Sequence, residues 1–142
     1  MLEIKVKKIG DVALPQKFQN GDWVDLRSAE SVNMKAGEFK AIRLGIAMKL
    51  PDGYEAHVVP RSSTFKKYKI IQTNSIGIID NSYSGNSDEW RFPVIASEET
   101  FIEKGDRICQ FRIVKTMPKI LITEVENLSG KNRGGFGSTG VK

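Results

Sequence analysis

Hydrophobic and polar residues alternate along much of this chain, and a period of two favours β-strands over helices. Leu2, Ile4 and Val6 alternate with charged residues, and the run 42–48 repeats the same step up to the turn at 51–53. Other strand-like runs lie at 54–59, 76–79, 90–96, 107–114 and 120–125. Turns that contain glycine or asparagine separate these runs. Many short strands at regular spacing predict an all-β sandwich or barrel.

One segment, 62–68, has the pattern of a short helix. It begins with Ser62 and Ser63, whose hydroxyls suit an N-cap, and continues with helix-tolerant residues. We expect about two turns of helix. Pro60 and Arg61 come just before it, and this junction suits a phosphate because helix starts attract anions and arginine offers a planar fork. A plain capping segment is the alternative interpretation.

Cysteine and histidine are scarce, which excludes several kinds of site. With Cys109 and His57 as the single residues of their types, one chain can form neither an internal disulfide nor a Cys/His zinc site. A metal is therefore expected to be a hard cation held by oxygens, with magnesium and phosphate as the leading pair. Cys109 lies in an apolar run and is predicted to be buried, and His57 is predicted to be structural.

Charge and hydropathy narrow the choice of partners. The formal net charge is +5 and the pI is about 9.4, which favours an anionic ligand. Lys and Arg never occur in runs longer than two, so a basic nucleic-acid-binding tail is not expected. The apolar runs fall short of the roughly 20 residues that span a bilayer, and the start of the chain lacks a signal-peptide pattern. We therefore expect a cytoplasmic protein without a membrane partner.

Residues 74–85 are predicted to form a β-hairpin that carries a carboxylate. Asp80 follows the apolar run 76–79, so we expect its side chain to be partly desolvated. A carboxylate in that position can orient or deprotonate a water molecule. Tyr83 lies close enough along the chain to build the same pocket. The alternative is an ordinary Asp-Asn-Ser turn with Tyr83 at the edge of the core.

Residues 104–110 are predicted to form a tight turn that leads into a strand. In an extended strand, Ile108 and Gln110 face one way and Arg107 and Cys109 the other. Gln110 is a candidate phosphate contact. Arg107 is expected to support the fold or a subunit contact.

The end of the chain is rich in glycine. From Asn127 onward it offers little that can pack, so residues 127–142 are predicted to form a flexible C-terminal arm after a domain at 1–126. Phe136 is the large aromatic residue in the final stretch of this arm. It indicates either a lid that orders over a ligand or a plain disordered tail.

Five segments, in this order, resemble the motifs of the trimeric dUTPase family. They are 25–29 (DLRSA), 60–63 (PRSS), 74–85, 105–110 (GDRICQ) and 133–140 (RGGFGSTG). The resemblance covers residues 2–141. It implies an all-β fold, a distorted jelly-roll β-barrel with one short helix, assembled as a homotrimer. It also implies active sites at the subunit interfaces, each combining residues of different subunits.

The reaction implied by the resemblance is the hydrolysis of dUTP to dUMP and pyrophosphate, which keeps uracil out of DNA and supplies dUMP. The resemblance makes Asp80 the residue that activates water for attack on the α-phosphorus, with Mg²⁺ held by the triphosphate. Asp25 is expected to hold metal-bound waters. The substrate-binding residues that it implies are Arg61, Ser62, Ser63, Asn74, Gly77, Ile79, Tyr83, Gln110, Arg133, Phe136, Gly137, Ser138 and Thr139.

The same resemblance assigns roles around the sugar and the base. Tyr83 is expected to pack on the deoxyribose and to leave no room for a 2′-hydroxyl, which would exclude UTP. Main-chain groups of 74–85, together with Asn74, are expected to read uracil. Phe136 is expected to stack on the base when the arm closes, and hydroxyls of the arm to reach the phosphates.

The sequence departs from the family pattern in three places, the first being the irregular stretch 21–24 before Asp25. The family arm has an arginine where this chain has Lys131, and Arg133 is our preferred substitute for the phosphate contact. The stretch 86–92 is longer than usual, which places Trp90 and Phe92 near the base pocket. We hypothesise that one of them, with Phe92 favoured, stacks on uracil. The alternative is that both belong to the core of a strand.

Three other functions stay open on the sequence alone. A dCTP deaminase has a similar barrel but needs a carboxylate aimed at the amino group of the base. A regulatory binding module would use the same fold to hold a protein partner, and intact motifs do not exclude such a partner. A nucleic-acid-binding β-barrel would fit the positive charge, although stable nucleic-acid binding is not expected, and it would bind with a steep salt dependence.

Overall fold

The computed structural model of the chain describes residues 1–18, 20–137 and 140–142. Within these ranges, short β-strands and one short helix follow one another along the chain. They are β1 (Lys5–Lys8), β2 (Val24–Arg27), β3 (Val32–Met34), β4 (Phe39–Arg43), β5 (Ile46–Lys49), β6 (Tyr54–Pro60), α1 (Thr64–Tyr68), β7 (Ile70–Gln72), β8 (Gly77–Ile79), β9 (Arg91–Ala96), β10 (Thr100–Ile102) and β11 (Arg107–Lys115). The prediction of an all-β protein with one short helix is confirmed.

The strands of the described residues form four antiparallel sheets rather than one closed barrel. The largest has the order β2-β11-β6-β8, and a second has the order β4-β9-β7. The pairs β1-β5 and β10-β3 complete the set. Because β2 and β8 both join the sheet of β6 and β11, segments that lie far apart in the sequence reach one surface.

The core lies where the apolar faces of these sheets meet, and it includes both aromatic residues of the stretch before and within β9. Phe92 has no exposed area and Trp90 is 1% exposed, with the Trp90 ring packed edge-on against Phe111 at 5.3 Å. This burial corrects the hypothesis that either residue stacks on a base, since a ring without exposed area presents no face to a ligand. The alternative, that both belong to the strand core, describes the structure.

The apolar run 42–48, predicted as one strand, is divided between two sheets. The break falls at Gly45, whose φ of +72° is favourable only for glycine, and a Cβ there would lie 2.8 Å from that of Ala29. The chain can therefore turn from β4 into β5 at this point, and the alternation of apolar residues continues across the break.

Residues 74–85 form one strand, β8, and not the predicted hairpin. β8 pairs with β6, and the chain then leaves the sheet at Asp80. The Asp80 carboxylate accepts hydrogen bonds from Ser82 N at 3.4 Å and Ser82 Oγ at 3.1 Å, and Tyr83 N donates to Asp80 O at 3.0 Å. These local bonds close a turn and end the strand.

The predicted strand at 120–125 is absent, since β11 ends at Lys115 and residues 116–137 and 140–142 contain neither helix nor strand. Leu121 and Ile122 are 90% and 87% exposed. A strand needs a partner edge, and none of the described strands pairs with this segment. The boundary of the C-terminal arm at Asn127 stays a prediction. Among the described residues, the helix is too short to cross a membrane.

Candidate active site

Asp25 lies at the centre of a cluster of charged side chains. β2 pairs with β11, which places Asp25 opposite Gln110, and β11 pairs in turn with β6, which ends next to Arg61. Asp25 Oδ1 lies 3.2 Å from Arg61 Nε, and Asp25 Oδ2 lies 3.2 Å from Arg107 Nη1. The Asp25 side chain is 15% exposed, so two guanidinium groups balance a largely buried carboxylate. The resulting excess of positive charge suits a phosphate group.

The junction between β6 and α1 is organised by Thr64. Its Oγ1 accepts a hydrogen bond from Arg61 N at 2.8 Å and donates one to Ile108 O at 2.9 Å. Ser63 takes the N-cap position, as predicted, but its side chain makes no cap hydrogen bond to any described residue. A five-residue helix has few peptide dipoles to sum, so the phosphate interpretation depends on Arg61 and on the exposed Ser62 rather than on the helix itself.

Gln110 and Pro60 hold this junction against the central strand. Gln110 is partly buried, and its Nε2 donates to Pro60 O at 3.1 Å. Arg61 Nη1 also donates to Arg107 O at 3.3 Å. Three of the segments singled out in the sequence therefore meet at the end of the four-stranded sheet, with Asp25, Arg61 and Gln110 as neighbours.

Ile108 and Cys109 are both fully buried, which corrects the alternation predicted for this strand. The register of β11 on β2 shifts between Arg107 and Cys109, a β-bulge that turns successive residues inward. Burial raises the pKa of the Cys109 thiol well above its ordinary value, and the Asp25 carboxylate adds to the rise. The thiol is therefore neutral at physiological pH and is not a nucleophile. The predicted burial of Cys109 is confirmed.

A recess of about 420 Å³ lies beside the turn that follows β8. Its lining residues are Ile78, Ile79, Asp80, Ser82, Tyr83, Glu89, Trp90 and Arg91. Asp80 is exposed, so the partial desolvation expected from the apolar run before it is not found in the single chain. An exposed carboxylate at the rim of a recess is accessible to water and to a bound ligand.

Hydrogen bonds to main-chain carbonyls orient the turn that carries Asp80. Asn81 Nδ2 donates to Pro51 O at 2.8 Å and to Tyr54 O at 2.9 Å, which attaches the turn to the start of β6. Tyr83 Oη donates to Glu89 O at 2.8 Å, and the Tyr83 side chain is 40% exposed along the recess. The tyrosine ring is thus held by its hydroxyl and presents part of its face to the cavity.

The other residues predicted to read the base lie around β8. Asn74 is exposed in the loop before it, and Ile79 is half-buried against the core. Gly77 is buried, and a Cβ there would lie 3.2 Å from the Cβ of Val58. The close approach that its glycine permits is therefore to β6 of the same chain.

The residues predicted on the C-terminal arm lie apart from both the Asp25 cluster and the recess beside the Asp80 turn. Arg133, Phe136 and Gly137 are exposed, as is Lys131. Ser138 and Thr139 lie outside the described residues. Within the described ranges, no hydrogen bond or ion pair joins the arm to either group, nor the Asp25 cluster to the Asp80 turn. The candidate site is thus present as separate parts in one chain.

Arg107 and Glu89 lie at these groups although the sequence did not mark either as a site residue. Arg107 is expected from the sequence to support the fold or a subunit contact, and in the structure it joins β11 to β2 through its ion pair with Asp25. Glu89 lies in the stretch 86–92, which is predicted to be longer than in the family pattern, and that predicted length is the available signal. His57 pairs with Glu55 on β6 at 2.7 Å and contacts neither group, in keeping with its predicted structural role.

The described residues leave one carboxylate able to contact a magnesium ion indirectly. Among them, no group of three or more His, Cys, Asp or Glu could hold a metal ion directly. Each Asp25 oxygen has a second lone pair besides the one used by an arginine, so this carboxylate can still accept a hydrogen bond from a metal-bound water. The donor set therefore suits the indirect metal contact predicted for Asp25.

A basic cluster and a tyrosine-lined recess on an all-β scaffold suit the binding of a nucleoside phosphate. The sequence profile of the dUTPase family matches residues 19–140. The chain belongs to the dUTPase family.

Named relatives match along essentially the whole chain. The SPbeta prophage-derived deoxyuridine 5′-triphosphate nucleotidohydrolase YosS of Bacillus subtilis (strain 168) is 55% identical over 142 residues, covering 99% of this chain and 100% of that protein. The deoxyuridine 5′-triphosphate nucleotidohydrolase of Clostridium acetobutylicum is 42% identical over 148 residues, covering 100% of this chain and 99% of the relative.

Solved structures show the same fold. A mutant dUTPase of Staphylococcus bacteriophage 80alpha, determined with dUpNHpp, superposes with a TM-score of 0.78 at 23% identity, covering 98% of this chain and 99% of that one. A mutant dUTPase from phage phi11 of S. aureus, described as coordinating a structural Mg(II) ion, gives a TM-score of 0.78 at 19% identity over 90% of this chain and 99% of that one. The likeness confirms the jelly-roll class of the fold, with its strands distributed over separate sheets.

Proposed function

We propose that this chain is a dUTP nucleotidohydrolase, which converts dUTP and water to dUMP and pyrophosphate. The observation that carries the proposal is the meeting of Asp25, Arg61 and Gln110 at one end of the β2-β11-β6 sheet, in a member of the dUTPase family. Removal of dUTP keeps uracil out of DNA and supplies dUMP. A cytoplasmic location belongs to the proposal because substrate and product are soluble nucleotides.

In the proposed mechanism, Asp80 orients and deprotonates the water that attacks the α-phosphorus. A new bond forms between the water oxygen and phosphorus, the bond from phosphorus to the bridging oxygen breaks, and pyrophosphate leaves. The proton of the water passes to the Asp80 carboxylate. The exposed position of Asp80 at the rim of the recess leaves room for this water.

The triphosphate is proposed to bind along the basic cluster. Arg61 supplies a planar pair of donors, Ser62 and Ser63 supply hydroxyls, and Gln110 supplies its amide. Asp25 orients Arg61 through their 3.2 Å ion pair and accepts from metal-bound waters. Mg²⁺, when bound to the triphosphate, neutralises charge that develops on the phosphate oxygens.

The nucleoside is proposed to enter the recess. The Tyr83 ring packs on the deoxyribose and blocks a 2′-hydroxyl, and main-chain groups around Asn74, Gly77 and Ile79 read uracil. From the arm, Phe136 is proposed to stack on the base, while Arg133, Gly137, Ser138 and Thr139 contact the phosphates. The arm residues are exposed where they are described, which leaves them available for a site that closes on substrate.

A homotrimer is proposed to bring the separate parts of the site together. The segment after β11 exposes apolar side chains that nothing in the single chain covers within the described residues: Met117, Ile120, Leu121, Ile122, Val125 and Leu128. Contiguous exposed apolar residues with a strand-like pattern suit a neighbouring subunit. The Asp25 cluster of one subunit can then face the Asp80 turn of another, with the arm of a third above both.

The homotrimer predicts a mass of three times the 15.9 kDa of the chain in solution. A variant with Leu121→Asp and Ile122→Asp places charges on the apolar segment and is expected to run as a monomer without activity. Lys119→Asp, on an exposed polar position of the same segment, is the control and is expected to stay trimeric. Light scattering after gel filtration measures all three masses. A trimeric double variant would show that this segment is not the subunit contact.

The proposed activity predicts pyrophosphate release from dUTP in the presence of magnesium, with dTTP, dCTP and UTP as competitors. Because the site must read a base edge and a sugar edge, kcat/KM for dUTP is expected to exceed the others by at least about 100-fold. Ammonia release from dCTP would identify a deaminase instead. Turnover of none of the four, with salt-dependent DNA or RNA binding, would favour a nucleic-acid-binding barrel. Intact dUTP binding without turnover would favour a regulatory module with a protein partner.

A further inference from the structure

Glu89 joins the wall of the recess to the connection between β4 and β5. Its side chain is 10% exposed, and both carboxylate oxygens lie 3.1 Å from Arg43 Nε. Oε2 also accepts a hydrogen bond from Gly45 N at 3.0 Å. Arg91 Nη2 lies 3.8 Å from the carboxylate on the recess side. The carboxylate is therefore held in place by charge-assisted bonds and a main-chain donor.

The main chain of the same residue holds Tyr83. The Glu89 carbonyl oxygen accepts the hydrogen bond of Tyr83 Oη at 2.8 Å. The next residue, Trp90, donates its N–H to Ile46 O at 2.9 Å. One short segment thus fixes the carbonyl that receives the tyrosine hydroxyl, and its side chain and its main chain are both attached to the β4–β5 connection.

The orientation of the Tyr83 ring depends on its hydrogen bond to Glu89 O more than it would if the ring were buried. Its side chain is 40% exposed, so packing leaves the ring considerable freedom. The hydroxyl bond at the far end of the ring restricts that freedom. Any shift of the Glu89 carbonyl is therefore transmitted to the edge of the ring that faces the recess.

The contacts of Glu89 are suited to fixing the orientation of the Tyr83 ring. Its carboxylate has two oxygens that face two kinds of donor, the Arg43 guanidinium and the buried N–H of Gly45. A neutral amide of the same size would turn its NH₂ group toward one of these donors, since an amide has a single acceptor oxygen. The segment would then move away from β4, and the carbonyl with it.

We propose that Glu89 is a positioning residue that sets the orientation of Tyr83 and so selects deoxyribonucleotides over ribonucleotides. The proposal rests on the proposed function, in which the Tyr83 ring packs on the sugar. It adds to that function a residue remote from the sugar, located in the stretch between the Asp80 turn and β9.

The test is the equilibrium binding of α,β-imido analogues of dUTP and UTP, which bind without hydrolysis, measured by calorimetry with magnesium. Glu89→Gln is expected to lower the preference for the deoxy analogue at least tenfold. Tyr83→Phe, which removes only the hydroxyl from a partly exposed ring, is expected to lower it as much. The double variant is expected to lose no more than either single variant, because both changes break one connection.

Glu30→Gln is the matched control. Glu30 also accepts a main-chain hydrogen bond, from Arg43 N at 2.9 Å, and pairs with Lys40 at 3.4 Å, but it has no contact with Glu89 or Tyr83 among the described residues. The preference of this variant for the dUTP analogue over the UTP analogue is expected to stay within twofold of that of the unchanged chain. Thermal unfolding of every variant verifies that each one is folded.

The outcomes separate the inference from the function it rests on. An equal rise of both Kd values in Glu89→Gln, with the preference unchanged, would show a merely structural role and overturn the inference. A preference unchanged in Tyr83→Phe would overturn it as well, and it would do so even if Glu89→Gln failed to fold. If the unchanged chain did not bind the dUTP analogue, the proposed function itself would fail and the inference with it.

Discussion

Asp80→Asn is expected to abolish dUTP hydrolysis while leaving dUTP binding intact. The substitution removes the base that takes the proton of the attacking water, and general bases contribute about 10²–10⁴ in rate, so kcat is expected to fall about 10³-fold. The fold should be unaffected, because Asp80 is exposed and the Asn oxygen can accept the same bond from Ser82 N. A neutral side chain also removes a repulsion with the triphosphate, so the Kd for the α,β-imido analogue should not rise.

Single-turnover release of pyrophosphate, measured beside calorimetric binding, tests this prediction. Asp88→Asn is the control, because it neutralises another carboxylate of the same irregular segment, one that accepts only the local bond from Gly85 N at 2.8 Å. Its kcat is expected to stay within about threefold of the unchanged chain. If Asp80→Asn retained more than a tenth of the rate, another group would have to activate the water.

The long strands of this fold could be predicted from the sequence, and so could the short β8 within the predicted run 76–79, but the other three-residue strands could not. The runs at 54–59 and 107–114 correspond closely to β6 and β11, because each is an extended apolar alternation between turn residues. β3, β7 and β10 have three residues each, too few for a period to be recognised. Breaks and bulges within a strand could not be predicted either. At Gly45 and at Ile108 the chain changes direction locally, and the apolar pattern stays nearly unchanged.

The candidate site was predictable as a set of segments but not as a set of contacts. The sequence placed Asp25, Arg61 and Gln110 in three motifs, and antiparallel register brings them together. It could not show that Arg107 reaches Asp25, because the bulge in β11 decides the direction of that side chain. The role proposed for Glu89 depends on a main-chain carbonyl, which no residue pattern displays.

The C-terminal part of the chain shows where sequence patterns and the single chain diverge. The alternation at 120–125 favours a strand, yet the segment is exposed and unpaired in one chain. Strand formation needs main-chain partners as well as propensity. The pattern favours pairing with an edge outside this chain, which is the physical basis for expecting the proposed homotrimer to order the segment.

Phe92→Ala is expected to lower the stability of the protein strongly. Phe92 has no exposed area and lies opposite the equally buried Ile42 in the β4–β9 pair. Truncation of a fully buried phenylalanine costs about 3–5 kcal/mol, from lost burial and from the cavity left behind. For a chain of this size we expect the Tm to fall by about 10 °C or more at a fixed protein concentration.

Phe136→Ala is expected to have the opposite effects, on substrate binding and not on stability, so the two variants are compared directly. Phe136 is fully exposed on the arm, so its truncation should leave the Tm unchanged. As the proposed stacking partner of uracil, it should raise the KM for dUTP by about tenfold, the equivalent of roughly 1–2 kcal/mol of stacking. Calorimetric unfolding and steady-state kinetics on both variants separate a core aromatic from a base-stacking one. A Phe92→Ala protein with an unchanged Tm and a raised KM would reverse the two assignments, since only a ring in contact with substrate can affect binding without affecting the fold.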